Sequence, residues 1–378
     1  MNVKDGFNHL WMEKAFSLAQ RGCNRVNPNP RVGAVVVKNG KIIGQGWHEY
    51  FGGPHAEVNA LKKAQGKAKG ADLFVTLEPC STHGKTPPCI CSIAEAGIKR
   101  VFFGAVDINP LNRKKAVPEF KKLGIQAVYL QDYQRLHDEM NRDFIHGFSH
   151  SFPYIELKTA VTLDGKMADS KGRSKWISNE SSRQMVHEIR QNADGILIGA
   201  ATFNRDDPSL TIRPPFQEGT KDPAKIILTK SGCLNTSHRL LSKDSQGKVL
   251  ILTTAQGEKK LKNRIRNSRC EIMAIPQDNG LLSLMACLKV LKKTGVHHLL
   301  VEGGAHVFSQ FIRQRLFQVL HLFMAPTLFG GKDYIFSGDE ILSSIRTKRY
   351  LQCTSCLIVG NTNELKDIYM RYSCLPGS

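Results

Sequence analysis

His55 in "GGPHAEVNALKKA" and the cysteines of "LEPCSTHGKTPPC", Cys80 and Cys89, are distant in sequence, yet they are residue types that share one metal ion. Each ligand stretch leads into a helical pattern: "AEVNALKKA" follows His55, and "CICSIAEAG" opens at Cys89 and is stopped by Gly97. The three can meet only if two neighbouring helices aim their N-termini at one point, which an α/β layer allows. The helix dipole favours thiolates at such a point, as a metal does. Three protein ligands leave a fourth tetrahedral position for water, the arrangement of a catalytic zinc rather than a structural one. Zinc lowers the pKa of bound water to about 7. Glu57, two residues after His55, is then a natural proton carrier. Cys91 rivals Cys89 by spacing alone. Cys89 is preferred because it follows Pro87 and Pro88 at the helix start, which leaves Cys91 for the core.

The surrounding pattern agrees with an α/β layer. Phe7, Leu10, Trp11, Ala15, Leu18 and Ala19 recur at helical spacing, with Gly22 placed to end the helix. "RVGAVVV" and "KIIGQGW" flank Asn39-Gly40 and read as a tight hairpin. Strand and helix then alternate through "ADLFVTL", "KRVFFGAV", "EFKKLG" and "IQAVYL". "QDYQRLHDEMNRDFIHGF" reads as one helix leading out to "SHSFP" at 149–153, the expected boundary between domains over 1–148 and 152–378. The second half begins again with "YIELKTAVTLDGKMA" and is also α/β.

No apolar run reaches the roughly 20 residues of a membrane span, and the N-terminus lacks a signal-like apolar stretch. A cytoplasmic protein is expected, with most of its ten cysteines reduced. The 53 basic against 33 acidic residues give a net charge of +20, which favours anionic partners. The lysines are scattered and lack the interleaved aromatics of a nucleic-acid groove, so small phosphorylated molecules are the better match.

Zinc nucleobase deaminases carry His-x-Glu and a later Pro-Cys-x-x-Cys in which the glutamate is not a ligand. Here eight residues, "STHGKTPP", separate the cysteines. With "NPNPRVGAVVV", "GWHEYFGGPHAEV" and "EPCSTHGKTPPC", the chain resembles the bifunctional deaminase/reductases of riboflavin biosynthesis along nearly its whole length. The resemblance implies a cytidine-deaminase-like three-layer α/β domain followed by a dihydrofolate-reductase-like α/β domain. It implies zinc-dependent deamination of 2,5-diamino-6-(5-phosphoribosylamino)pyrimidin-4-one. NADPH reduction of the ribosyl chain would follow, giving 5-amino-6-(5-phosphoribitylamino)uracil. Carried over, His55, Cys80 and Cys89 hold zinc and Glu57 moves the proton, while Asn29, His48 and Lys85 line the substrate pocket. His83 would assist. A glycine-containing turn usual in this family is replaced by Arg113, Lys114 and Lys115. The expected partners are a phosphorylated pyrimidine and further copies of the chain, with neither nucleic acid nor membrane.

The second half has no Gly-x-Gly-x-x-Gly fingerprint. Its strand "HHLLVEGG" turns into helix "AHVFSQFI", where glycines let backbone amides approach a pyrophosphate. By the resemblance, NADPH meets Ala160, Trp176, Thr202 and Asp206, and the run Gly304, Ala305, His306, Val307, Phe308, Ser309 and Gln310. Ser174, Arg190, Leu210, Arg213 and Glu302 meet the substrate, with the two arginines gripping its phosphate. Lys158 either polarises the opened sugar or is an ion-paired strand lysine. Cys353 and Cys356 lie near a strand without ligand partners and are incidental.

Overall fold

The computed structural model describes residues 3–83, 87–169, 171, 177–213, 220–242, 247–265, 267–330 and 351–374. It divides into two compact units: one runs to His150 and also takes in Thr220, and the other begins at Ser151 and holds the remaining described residues.

The first unit contains α1 (Val3–Ala19), β1 (Gly33–Lys38), β2 (Lys41–Trp47), α2 (Ala56–Lys63), β3 (Asp72–Val75) and α3 (Cys89–Glu95). It continues with β4 (Arg100–Phe103), α4 (Ala116–Lys122), β5 (Gln126–Tyr129), α5 (Gln134–Met140) and α6 (Arg142–Ser149). The sheet order is β2-β1-β3-β4-β5. β1 is antiparallel to both neighbours, and β3, β4 and β5 are parallel.

Alternation on β1 explains the three layers. Ala34 and Val36 pack with Ala56, Ala60 and Ala64 of α2 on one face. Val35 and Val37 pack with Met12, Ala15 and Phe16 of α1 on the other. Asn39 and Gly40, at φ 51° and 71°, make the hairpin turn with the left-handed pair its twist favours. α2 lies so close to β2 that a Cβ at Gly46 would stand 2.5 Å from the Ala60 nitrogen. That contact fixes where the start of α2 points.

Two sequence expectations change. Leu10 is 51% exposed, because the buried stripe of α1 runs through Met12, Ala15, Phe16 and Ala19. The single helix expected after β5 is a short 3₁₀ turn, then α5 and α6, broken at Asn141.

The second unit contains β6 (Tyr154–Thr162), α7 (Glu180–Arg190), β7 (Gly195–Gly199), α8 (Ala200–Asp206), β8 (Ala224–Thr229), β9 (Val249–Thr253), α9 (Ala255–Lys262) and β10 (Cys270–Ala274). A small pair follows, β11 (Gln277–Asp278) and β12 (Leu281–Leu282), then α10 (Leu284–Lys293), β13 (His298–Val301), α11 (Ala305–Arg313) and β14 (Val319–Ala325). β15 (Leu351–Val359) and β16 (Asp367–Cys374) end it.

The large sheet runs β10-β9-β8-β7-β13-β6-β14-β16-β15. It is parallel from β10 to β14 and antiparallel beyond. "GILIG" and "VLILT" are buried throughout, as strands covered on both faces must be. Leu288, Leu291, Phe308 and Phe311 of α10 and α11 cover one face, and Phe203 and Leu261 of α8 and α9 lie on the other. Among the described residues no helix is long and apolar enough to cross a membrane. All ten cysteines are free thiols.

Candidate active sites

The start of α2 and the start of α3 bring the three soft ligands together. His55 caps α2, and its Nδ1 lies 3.1 Å from Cys89 Sγ and 3.6 Å from Cys80 Sγ. The three ligand atoms fall within 4.8 Å of one another. Ligands of a tetrahedral zinc, bound at about 2.0–2.3 Å, sit roughly 3.3–3.8 Å apart, so this donor set fits zinc.

The Cys80 sulfur is also held to the start of α3, since the Cys89 backbone N–H donates to Cys80 Sγ at 3.3 Å. A hydrogen bond from Cys89 and the His55 ring beside it bring the Cys80 thiol down to about 4, against the effect of burial. The same contact, with burial, holds Cys89 well above the ordinary thiol range. Its partnership with Cys80 raises His55 to about 9 despite burial. Cys91 is exposed rather than in the core: on α3, Cys89, Ile90 and Ile93 turn inward and residue 91 faces out.

His55 and Cys80 open into a cavity of about 400 Å³, which Glu57, Asn29, His48 and His83 also line, while Cys89 lies buried behind them. Glu57, in the first turn of α2, is 4% exposed, and burial pushes its carboxyl up. His48 is buried with Nδ1 3.0 Å from the Pro54 carbonyl and Nε2 3.1 Å from Asn29 Nδ2. Nδ1 therefore donates and Nε2 accepts, which defines a neutral tautomer; burial lowers the His48 pKa in the same sense. Lys85 lies outside the described residues.

Sequence reading missed other walls of this cavity: Glu78, Thr82, Asp107, Asn109 and Phe144. The polar "DINP" run after β4 was the available signal for two of them. Glu78 accepts backbone N–H groups from Asp107 (3.2 Å), Lys114 (2.9 Å) and Ala116 (3.0 Å). That carboxylate shapes the loop in which the family glycine turn is replaced. Lys114 takes the left-handed conformation, φ 58°, that glycine adopts more easily.

In the second unit, β7 and β13 are parallel neighbours whose C-terminal ends lead into α8 and α11. Gly199 caps α8 and Gly304 caps α11. The Gly304 N–H donates to Thr202 Oγ1 at 2.9 Å, and a Cβ at Gly304 would stand 2.9 Å from that oxygen. Backbone amides at the C-terminal edge of parallel strands form the donor set a dinucleotide pyrophosphate takes, so the residues fit NADPH. Ala305, His306, Val307, Phe308, Ser309 and Gln310 make up the first turns of α11, and Phe308 and Ser309 are buried beneath it. Ala160 is half-buried on β6, and Asp206 ends α8. Ser174 and Trp176 lie outside the described residues.

Beside this edge is a buried charge cluster. Arg190 of α7 meets Glu302 with Nε on Oε1 at 2.6 Å and NH2 on Oε2 at 2.8 Å. Its NH1 donates to the Thr211 carbonyl at 2.8 Å. Burial would raise Glu302, but Arg190 and Lys158 bring it to about 2. Burial lowers Lys158, whose Nζ sits 5.9 Å from the Phe323 ring centroid. His187, overlooked in the sequence, shares the helix face of Arg190. Burial and the charges of Arg190 and Arg213 lower it to about 4. Arg213 is exposed, and Leu210 is buried in the core at φ 49°, which leaves only its backbone to meet a ligand. Cys353 and Cys356 are exposed on edge strand β15.

Comparison with known proteins agrees with both halves. Residues 7–105 match the cytidine and deoxycytidylate deaminase zinc-binding region, and residues 153–363 match the RibD C-terminal domain. The riboflavin biosynthesis protein RibD of Bacillus amyloliquefaciens is 38% identical over 352 residues, 93% of each chain. That of Aquifex aeolicus is 40% identical over 320 residues, 85% of this chain and 87% of its own. A solved diaminohydroxyphosphoribosylaminopyrimidine deaminase/5-amino-6-(5-phosphoribosylamino)uracil reductase from Thermotoga maritima superposes with a TM-score of 0.84 at 34% identity. The match covers 98% of this chain and 99% of that one.

Proposed function

The chain belongs to the RibD family of bifunctional riboflavin-biosynthesis enzymes, and from that premise we propose the substrate of each site and the residues that act on it. The first site deaminates 2,5-diamino-6-(5-phosphoribosylamino)pyrimidin-4-one. The second reduces the ribosyl chain of the product with NADPH. The deaminase spans residues 1–148 and the reductase 152–378, a division supported by the unit boundary after His150. The convergence of His55, Cys80 and Cys89 beside buried Glu57 carries the reading.

His55, Cys80 and Cys89 would hold zinc, which when bound would supply the acidity that makes hydroxide available from water near neutral pH. Glu57 accepts one proton from the attacking water and gives it to the pyrimidine ring nitrogen, then accepts the second proton of that water and gives it to the amino group, which departs as ammonia. A carboxyl raised by burial suits that shuttle. Neutral His48 and Asn29 orient the ring: the Asn29 amide nitrogen is committed to His48, and its Oδ1 is offered to a substrate amino group. Lys85 meets the phosphate.

NADPH, when bound, supplies a hydride. The backbone from Gly304 to Gln310, with Thr202, Asp206, Ala160 and Trp176, holds it. Lys158 polarises the opened ribose, and Glu302, kept ionised by Arg190, orients that ammonium. Because the side-on edge of the Arg190 fork faces Glu302, the phosphate grip falls chiefly on Arg213, and Ser174 and the Leu210 backbone are further substrate contacts. A cavity of about 400 Å³ supports a small phosphorylated partner over nucleic acid. Association of copies and a cytoplasmic setting rest on the family likeness and the free thiols.

The test is incubation of pure protein with the diaminopyrimidine phosphate, with and without NADPH, followed by mass spectrometry. The deaminated ribosyl compound should form without NADPH and the ribityl compound with it. Unchanged substrate under both conditions would sink the reading.

A further inference from the structure

Arg31 has no part in the chemistry above, yet its side chain is buried and heavily committed. Nε donates to the Cys23 carbonyl at 3.2 Å and NH1 to the Met140 carbonyl at 2.6 Å. NH1 and NH2 grip Asp143 Oδ1 and Oδ2 at 3.1 and 2.8 Å. The backbone of the same residue is held by Asn141, whose Oδ1 accepts the Arg31 N–H at 2.7 Å. Asn141 Nδ2 donates to the Arg31 carbonyl at 3.2 Å. Asn141 thus treats residue 31 as a neighbouring strand would. Its backbone leaves the helical path, at φ -112° and ψ 30°, which is where the helix expected after β5 breaks.

What flanks this clamp gives it meaning. Asn29, Pro30 and Val32, on either side of Arg31, line the first cavity, and so does Phe144, next to Asp143. The clamp therefore joins two walls from behind. A buried ion pair adds little net stability over apolar packing of the same volume, so its return here is geometry. The match to the general zinc-binding region stops at residue 105, and α6 lies beyond it.

We infer that Asn141 and Asp143, acting through Arg31, are positioning residues that set the spacing between the Asn29–Val32 wall and Phe144. They tune which pyrimidine the cavity accepts and leave the His55, Cys80 and Cys89 set untouched. This rests on the deaminase reading above.

The test uses full-length Asn141→Ala, Asp143→Asn and Arg31→Lys. Each is assayed for zinc content, for kcat and KM of ammonia release from the diaminopyrimidine phosphate without NADPH, and for reduction of the deaminated compound. KM for ammonia release should rise about tenfold in the first two variants, because a displaced wall loses contacts made equally to substrate and transition state. kcat, zinc content and reductase turnover should stay near wild type. Arg31→Lys keeps the charge but loses the fork, so its rise should be smaller. An unchanged KM in Asp143→Asn, or zinc and kcat falling with KM constant, would overturn the inference. Should Asn141→Ala misfold, losing zinc and reductase turnover together, Asp143→Asn decides, because it preserves shape. A wild-type protein that releases no ammonia would instead bring down the deaminase reading itself.

Discussion

Glu302→Gln probes whether the second site is organised around a buried charge cluster. Burial pushes the Glu302 carboxyl up, but Arg190 across its two oxygens and Lys158 nearby hold it at about 2 instead of 4.5. The Arg190 and Glu302 side chains are 13% and 9% exposed, so solvent screens the pair little. That displacement corresponds to about 3 kcal/mol of stability at neutral pH. A folded pKa below the unfolded one means the contribution is complete above roughly pH 5 and is lost as pH falls through 4.5 toward 2. The amide keeps the shape of the carboxylate but leaves Arg190 and Lys158 as uncompensated buried cations. Hydrogen exchange of the β7 and β13 amides should therefore show about 3 kcal/mol less protection at pH 7 in the variant. The gap should close as the pH approaches 2. A loss under about 1 kcal/mol at pH 7, or a gap indifferent to pH, would refute the reasoning.

Cys89→Ser should lose zinc and deamination together, while Cys91→Ser, on the exposed side of α3, should keep both; metal analysis beside ammonia release reads the difference. Glu57→Gln preserves size but carries no proton, so zinc should stay and ammonia release should fall at least about a hundredfold. Activity within a few-fold of wild type would remove Glu57 from the mechanism. Lys114→Gly should change stability by no more than about 1 kcal/mol, because relief of the left-handed residue offsets the freedom gained by the unfolded chain. Lys114→Pro, which forbids that conformation and deletes the N–H that Glu78 accepts, should collapse the loop and lower deamination in a steady-state assay.

What the sequence made legible was local. The hairpin follows from Asn39-Gly40, and two of the three ligands, His55 and Cys89, stand where a helix opens, since capping and turn chemistry act over a few positions. The less legible features depend on packing between distant segments. The phase of α1 at Leu10 is set by the strand it covers. The inward turn of Cys89 and outward turn of Cys91 follow from how α3 lies on its sheet. The break at Asn141 depends on Arg31, more than a hundred residues earlier in the chain. The pairing of Arg190 with Glu302 likewise joins a helix and a strand end that no local pattern connects.

The central claim is that one chain carries two separate sites. The direct measurement is ammonia release and NADPH oxidation on the same preparation of Arg213→Ala. Removing one charged contact to the substrate phosphate costs on the order of 2 kcal/mol, so reductase efficiency should fall roughly thirtyfold. Ammonia release should stay at the wild-type rate, and the deaminated ribosyl compound should accumulate when NADPH is present. Parallel losses of both activities would contradict two sites and point to a single shared one.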